Sequence, residues 1–325
     1  MLRVSFYSYK GGAGRSTTSW NTIERLVHLM NPTPENPFII MDTDIESAGS
    51  TILYNATSDF LKNSIYPSMQ KRIKSKSSIE GTTKEERKKA FFNSMCPVGE
   101  EFGLKDSNKK KSILLIGVDL ERNTDIIDKA GTNEDQLSNF DFIVDQCEEH
   151  GASAVFFDTP SGTQGLARMS RSASDIIVTC MRPTRQFREG TTKALEEFIK
   201  LEGSFPITYI LNPTAVCVDD GQIFDGNEYP TRALEVIRQE FDKDSYNGNV
   251  KFDMLEPTPD ECKLFSSSDD DDRVFGIPEI KRFKWFERAL GCMPESELTS
   301  NDKMGLNRYE YLARTIMKYY NEIRG

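Results

Sequence analysis

Residues 10–17 read Lys10-Gly11-Gly12-Ala13-Gly14-Arg15-Ser16-Thr17. Glycines at this density let backbone N–H groups converge on an anion with no Cβ in the way. A helix beginning at that point adds the positive end of its dipole. A cation closing such a loop can reach the outer phosphates of a nucleotide, and a hydroxyl beside it can ligate Mg2+. Arg15 and Ser16 hold those two places, so Gly11 to Thr17 form a candidate phosphate cradle. Acidic residues supply a second chemistry. Asp42 and Asp44 are two residues apart on an extended segment, where a bend can aim both carboxylates at one cleft, and Asp158 closes an apolar run.

The elements needed to position these groups can be read on either side of them. Residues 2–8 (LRVSFYS) are β-rich, and Thr17 to Met30 carries Trp20, Ile23, Leu26, Val27 and Met30 near helical spacing. Pro32 and Pro34 stop that helix, and PFIIM (37–41) is a short apolar run typical of a buried parallel strand. Strand, Gly-rich loop, helix and strand make a βαβ unit. Further strands are expected at 112–120, 154–160, 175–181 and 207–213, with helices around 134–149, 165–173 and 187–202. This alternation predicts a mostly parallel sheet with helices on both faces. Residues 55–111 read as an α-rich insertion and 216–305 as an irregular C-terminal segment, both decorating one domain that spans 1–325. A last helix is expected from Leu306 to Ile323.

KGGAGRST resembles the deviant Walker A motif, KGGxGK followed by Ser or Thr, of the ParA/MinD family of P-loop ATPases. IIMDTDIESAGS (39–50) resembles that family's second-strand D-x-D motif and its small-residue turn. VFFDTPSGTQGLA (155–167) resembles its Walker B strand and D-x-P-x-G loop. The likeness covers roughly 1–54 and 112–215. It implies a three-layer α/β/α, doubly wound P-loop NTPase fold that binds ATP and Mg2+. By this resemblance Ser16 ligates the metal, Asp42 supports it, and Asp158 holds its second shell through water. Asp44 positions or activates the attacking water, and Asn212 contacts adenine. Lys10 reaches across the interface of an ATP-dependent homodimer to the other protomer's phosphates, where a cation must offset γ-phosphate charge. Arg15 stands where most members of the family have Lys. Its guanidinium is larger, planar and bidentate toward phosphate, so slow, partner-stimulated turnover is expected, with Lys10, Asp44 and Arg15 as the catalytic set. The family role would be plasmid or chromosome partition, or intracellular positioning of a cargo.

Composition bounds these readings. The 325 residues include 37% hydrophobic side chains, enough for a sizeable core, and the net charge is −10. That acidity argues against a globally basic nucleic-acid binder. Basic stretches remain at Lys71-Arg72, Lys74, Lys76, Arg87-Lys88-Lys89 and Lys109-Lys110-Lys111, which keeps non-specific DNA among the candidate partners beside a stimulating or adaptor protein. Six cysteines without CxxC spacing imply neither a zinc site nor a disulfide framework, and two histidines leave little room for imidazole catalysis. The first residues have neither the length nor the cleavage site of a signal peptide, and no run spans a bilayer, so a cytoplasmic, non-membrane protein is expected. Three other readings stay open: a regulatory or scaffold ATPase subunit of a signalling or defence assembly, a small-molecule ligase or phosphotransferase, and a nucleotide-binding pseudoenzyme.

Overall fold

The computed structural model describes residues 1–44, 47–54, 83–118, 134–163, 165–182, 184–202, 207–214, 250–251, 276–284 and 288–325. The first half of the insertion (55–82) and the acidic run Asp269 to Asp272 lie outside these residues. The chain forms two compact units. One comprises Met1–Phe6 with Val27–Ser174, the other Tyr7–Leu26 with Asp175–Gly325.

In the first unit the strands are β1 (Leu2–Tyr7, its last residue counted with the second unit), β2 (Phe38–Asp42), β3 (Cys96–Pro97), β4 (Ile113–Ile116) and β5 (Ala154–Asp158). They lie in the order β3-β4-β2-β5-β1. The pairs β1–β5, β5–β2 and β2–β4 are parallel, and only β3 runs antiparallel to its neighbour. FIIMD, ILLI and AVFFD are buried at every residue, as strands covered on both faces must be. On one face Ile39, Met41, Leu114, Ile116, Val155 and Phe157 pack against helices. The helices there are α3 (Lys84–Phe92), α4 (Glu134–Glu149) and α5 (Leu166–Ser172). A capping box starts α3: Glu86 N–H donates to Thr83 Oγ1 at 3.2 Å, and Thr83 N–H donates to the Glu86 carboxylate at 2.7 Å. A short helix, α2 (Gly49–Leu53), precedes these three and belongs to the carboxylate site described below. The register places Asp42 and Phe6 on either side of Asp158, at the carboxyl ends of their strands.

In the second unit β6 (Ile176–Met181), β7 (Thr208–Pro213) and β8 (Val250–Lys251) are adjacent and parallel. Helix α6 (Arg185–Glu202) follows β6, and α7 (Ser300–Arg324) ends the chain. Tyr309, Leu312, Ile316 and Tyr319 of α7 are buried, so the apolar stripe expected there is a core face. Burial drives the Tyr309 hydroxyl well above the ordinary tyrosine range. The helix begins six residues before the expected Leu306. Its first turn is polar and is set by a Thr299/Asp302 capping box instead of by apolar periodicity.

α1 runs from Arg15 to Met30. Its first turn closes when Thr18 N–H donates to Gly14 O at 2.9 Å. It stops at Asn31, whose φ of 47° places it in the left-handed region just before Pro32.

Candidate nucleotide site

The loop leaves β1 and enters α1 within eight residues, so its backbone has to turn sharply. Gly12 and Gly14 adopt φ of 79° and 75°, a region that L side chains avoid. Among the described residues, a Cβ built on Gly11, Gly12 or Gly14 would meet no atom within 4 Å, which leaves space over all three for a ligand. The loop carbonyls are held by side chains of the same unit. Arg182 Nε donates to Gly12 O at 2.9 Å, and Thr214 Oγ1 donates to Ala13 O at 2.6 Å. With two of its acceptors engaged by the protein, the loop is left with N–H groups as its principal polar offering to an anion. Ala13 is buried, whereas Lys10, Gly11, Gly12 and Gly14 are exposed and Arg15 to Thr17 are half-buried. Arg15 Nη1 donates to Ser8 Oγ at 2.9 Å, and Ser8 Oγ donates to Lys10 O at 2.9 Å. The Arg15 guanidinium is therefore tied to the start of its own loop.

Asp42, Asp44 and Asp158 come together in the first unit. Asp42 and Asp158 are paired in register on adjacent strands and expose 1% and 0% of their surface. Thr51 holds Asp42 Oδ2 with both its N–H and its hydroxyl at 2.7 Å, and Thr51 Oγ1 accepts from Val118 N at 2.9 Å. Ser50 Oγ donates to Asp158 Oδ2 at 2.8 Å. These hydroxyls come from α2. That helix is entered through Ala48 at φ 45°, a left-handed non-glycine residue that stores strain beside the carboxylates. Asp44 N–H donates to Asp42 Oδ1 at 3.2 Å, and Asp44 Oδ1 accepts from Ser47 N at 3.3 Å, so Asp44 orders the turn ahead of α2 without capping it.

Burial, with the Asp158 and Asp44 charges behind it, outweighs the two Thr51 bonds and pushes Asp42 up to about 8. A divalent cation would reverse that balance by favouring the ionised pair. Among the described residues no group of three or more His, Cys, Asp or Glu side chains is arranged to hold a metal. A pair of buried carboxylates suits Mg2+, which keeps waters and takes phosphate oxygens to complete its shell.

Asn212 is fully buried near the end of β7, in register with Cys180 on β6. Its Nδ2 lies 3.7 Å from Cys180 Sγ, and its Oδ1 has no hydrogen-bond partner among the described residues. An orphaned buried amide oxygen is costly, and it is the acceptor that an exocyclic amine would satisfy. Ser8, Ser50, Thr51 and Thr214 were not singled out from the sequence. The run SAGST (47–51) ahead of an apolar stretch offered a signal for Ser50 and Thr51, whereas Thr214 and Ser8 carry none.

Of the basic residues, Lys110 pairs with Glu100 at 2.6 Å. Lys88, Lys89 and Lys111 line a cleft of about 890 Å3, with Phe92 and Met95 also in its wall. Glu35 and Glu85 share that lining, so it is close to charge balance. Among the described residues no helix is long and apolar enough to cross a membrane.

No protein-family model matches the sequence, and no curated protein sequence does. Solved structures do. The structure of pNOB8 ParA is similar over 99% of each chain at a TM-score of 0.60 and 12% identity. The chain has the ParA/MinD-type P-loop ATPase fold. Two further neighbours with this fold are Cyanothece McdA in complex with ATP and Pyrococcus horikoshii MinD in complex with Mg-ADP. McdA shares 12% identity over 99% of this chain and 96% of its own, at a TM-score of 0.53. MinD shares 14% identity over 97% and 96%, at a TM-score of 0.54. The three-layer, doubly wound α/β architecture with a mostly parallel sheet expected from the motifs is this fold. At such identities the likeness covers the fold, and the residues must argue for the chemistry.

Proposed function

We propose that the chain is an Mg-ATP-dependent molecular switch: ATP binding favours a homodimer, and slow hydrolysis resets it. The single observation that carries this reading is the loop itself. Gly12 and Gly14 adopt left-handed backbone with space above them among the described residues, and two of the loop's carbonyls are already engaged by Arg182 and Thr214. In this reading Gly11 to Thr17 wrap the phosphates with main-chain N–H groups, and Arg15 supplies a bidentate cation. Ser16 would ligate Mg2+, with Asp42 supporting it and Asp158 holding its second shell through water. Bound Mg2+ would neutralise phosphate charge. Asp44, beside Asp42, orients the attacking water, and Asn212 Oδ1 accepts from the adenine amine, which favours ATP over GTP. Lys10, exposed at the front of the loop, completes the pocket of the other protomer.

The neighbours' own ligands support this choice of nucleotide, since McdA was solved with ATP and MinD with Mg-ADP. The biological role that fits is partition or intracellular positioning in the cytoplasm, with an adaptor protein stimulating turnover. The ParA neighbour was also solved on nonspecific DNA, and the basic residues of α3 keep DNA a candidate partner here. A second reading has its own support. Arg15 is anchored to Ser8, so a nucleotide-binding pseudoenzyme that works as a regulatory or scaffold subunit would use the same loop without turnover.

Single-turnover hydrolysis of ATP with Mg2+ separates the two readings, and light scattering in ATP against ADP tests the dimer. Lys10→Ala should abolish the ATP-dependent rise in mass while leaving nucleotide affinity within about twofold. Full dimerisation of that variant would remove Lys10 from the switch.

A further inference from the structure

Tyr9, immediately before the loop, is a large aromatic residue with 38% of its surface exposed. Its ring lies against Gly190, a buried residue in the second turn of α6. A Cβ on Gly190 would stand 2.9 Å from Tyr9 Cγ and closer still to Cδ1 and Cε1. Glycine inside a helix costs about 1 kcal/mol relative to alanine, and the close approach of the ring leaves no room for a side chain at this position. One residue further along the chain, Ser8 Oγ donates to Lys10 O at 2.9 Å. Lys10 is thus bracketed by a seated ring before it and a bonded carbonyl of its own, while the residue is exposed and its ammonium has no ion-pair partner among the described residues.

We infer that Tyr9 and Gly190 form a positioning device for Lys10: the ring seated on bare helix backbone fixes the stub from which Lys10 projects. The inference rests on the reading of Lys10 given under Proposed function. Tyr9 is a positioning residue, acting through Lys10 and touching no reacting atom. Gly190→Ala displaces the ring, because the helix backbone cannot yield and the exposed side chain can.

The test compares Gly190→Ala, Tyr9→Ala and the double variant. Hydrogen exchange across residues 8–14, measured without nucleotide, should rise several-fold in each single variant, while thermal stability is unchanged or raised in Gly190→Ala. The kcat for ATP should fall about tenfold with KM within twofold, because Lys10 acts on the assembled dimer and not on capture of the nucleotide. The double variant should match Tyr9→Ala alone, since without the ring the new methyl meets nothing. Tyr9→Ala should add no further loss in a Lys10→Ala background. Wild-type exchange in Gly190→Ala, or losses that multiply in either double variant, would overturn the device. A wild-type chain that fails to turn over ATP would sink the proposed activity, and the exchange measurement would still decide whether Tyr9 and Gly190 hold the loop.

Discussion

Replacing Asp42 by Asn should change how the stability of the protein depends on pH. Asp42 is buried next to Asp158, and its carboxyl is pushed up to about 8 from an ordinary value of 3.8. Between those two values the folded chain holds a proton that the unfolded chain has released. Because the folded value is the higher one, the stabilising contribution is complete below about pH 4 and is lost as pH rises toward 8. The slope for one proton is about 1.4 kcal/mol per pH unit. From pH 5 to pH 7 the metal-free protein should therefore lose about 3 kcal/mol from this site. At the ~2 °C per kcal/mol suited to a long chain, that is a fall in Tm of about 5 °C.

The amide introduced by Asp42→Asn does not titrate, and its oxygen can still accept both Thr51 bonds. Its NH2 would meet the Asp44 N–H, which in the wild type donates to Asp42 Oδ1. That mismatch lowers stability by an amount independent of pH. The readout is therefore the difference in Tm between Asp42→Asn and wild type, measured by calorimetry from pH 5 to pH 7 in EDTA. Titrating groups remote from Asp158 and Asp44 cancel in that difference, which should move by about 5 °C in favour of the variant. Parallel curves, with the gap constant to about 1 °C, would mean that Asp42 is ionised in the folded chain and would refute the electrostatic reasoning.

Other outcomes follow from the same sites. Added Mg2+ should flatten the wild-type decline above pH 6 and leave Asp42→Asn unchanged, as the same calorimetry will show. Asn212→Leu removes an orphaned buried oxygen worth about 1–3 kcal/mol, so it should raise the nucleotide-free Tm. It should also erase discrimination between ATP and GTP in competition binding. Asp44→Ala should trap an ATP-bound dimer with phosphate release slowed at least tenfold in a single-turnover assay. Thr299→Ala removes the hydroxyl that accepts from Asp302 N–H at 3.1 Å and should cost about 1 kcal/mol in urea unfolding without affecting nucleotide binding.

The central strands and the loop were legible because each leaves a local signature. FIIMD and AVFFD are continuous apolar runs that end in an acid, and the glycine run between a strand and a helix has few other uses. The strand β3 was not legible. It is two residues long, contains Pro97, and exists only through its antiparallel pairing with Leu114 and Leu115, a tertiary event with no local pattern. The start of α7 was missed for a different reason. Its first turn is polar, so periodicity placed the helix at Leu306, whereas the capping residues Thr299 and Asp302 set the true start. At the candidate site the acids could be named from sequence, but the hydroxyls that hold them could not be assigned. Ser50 and Thr51 lie 108 and 9 residues from their partners, and only the packing of α2 brings them to Asp158 and Asp42.

The outermost strand of the first unit has a consequence for solubility. An uncovered strand margin invites a neighbouring chain to add its own backbone and start a fibril. Here the margin is β3, two residues long, reversed in direction, and carrying a proline that offers no N–H for an incoming chain to bond. Among the described residues, stray strand addition from this side is thereby discouraged.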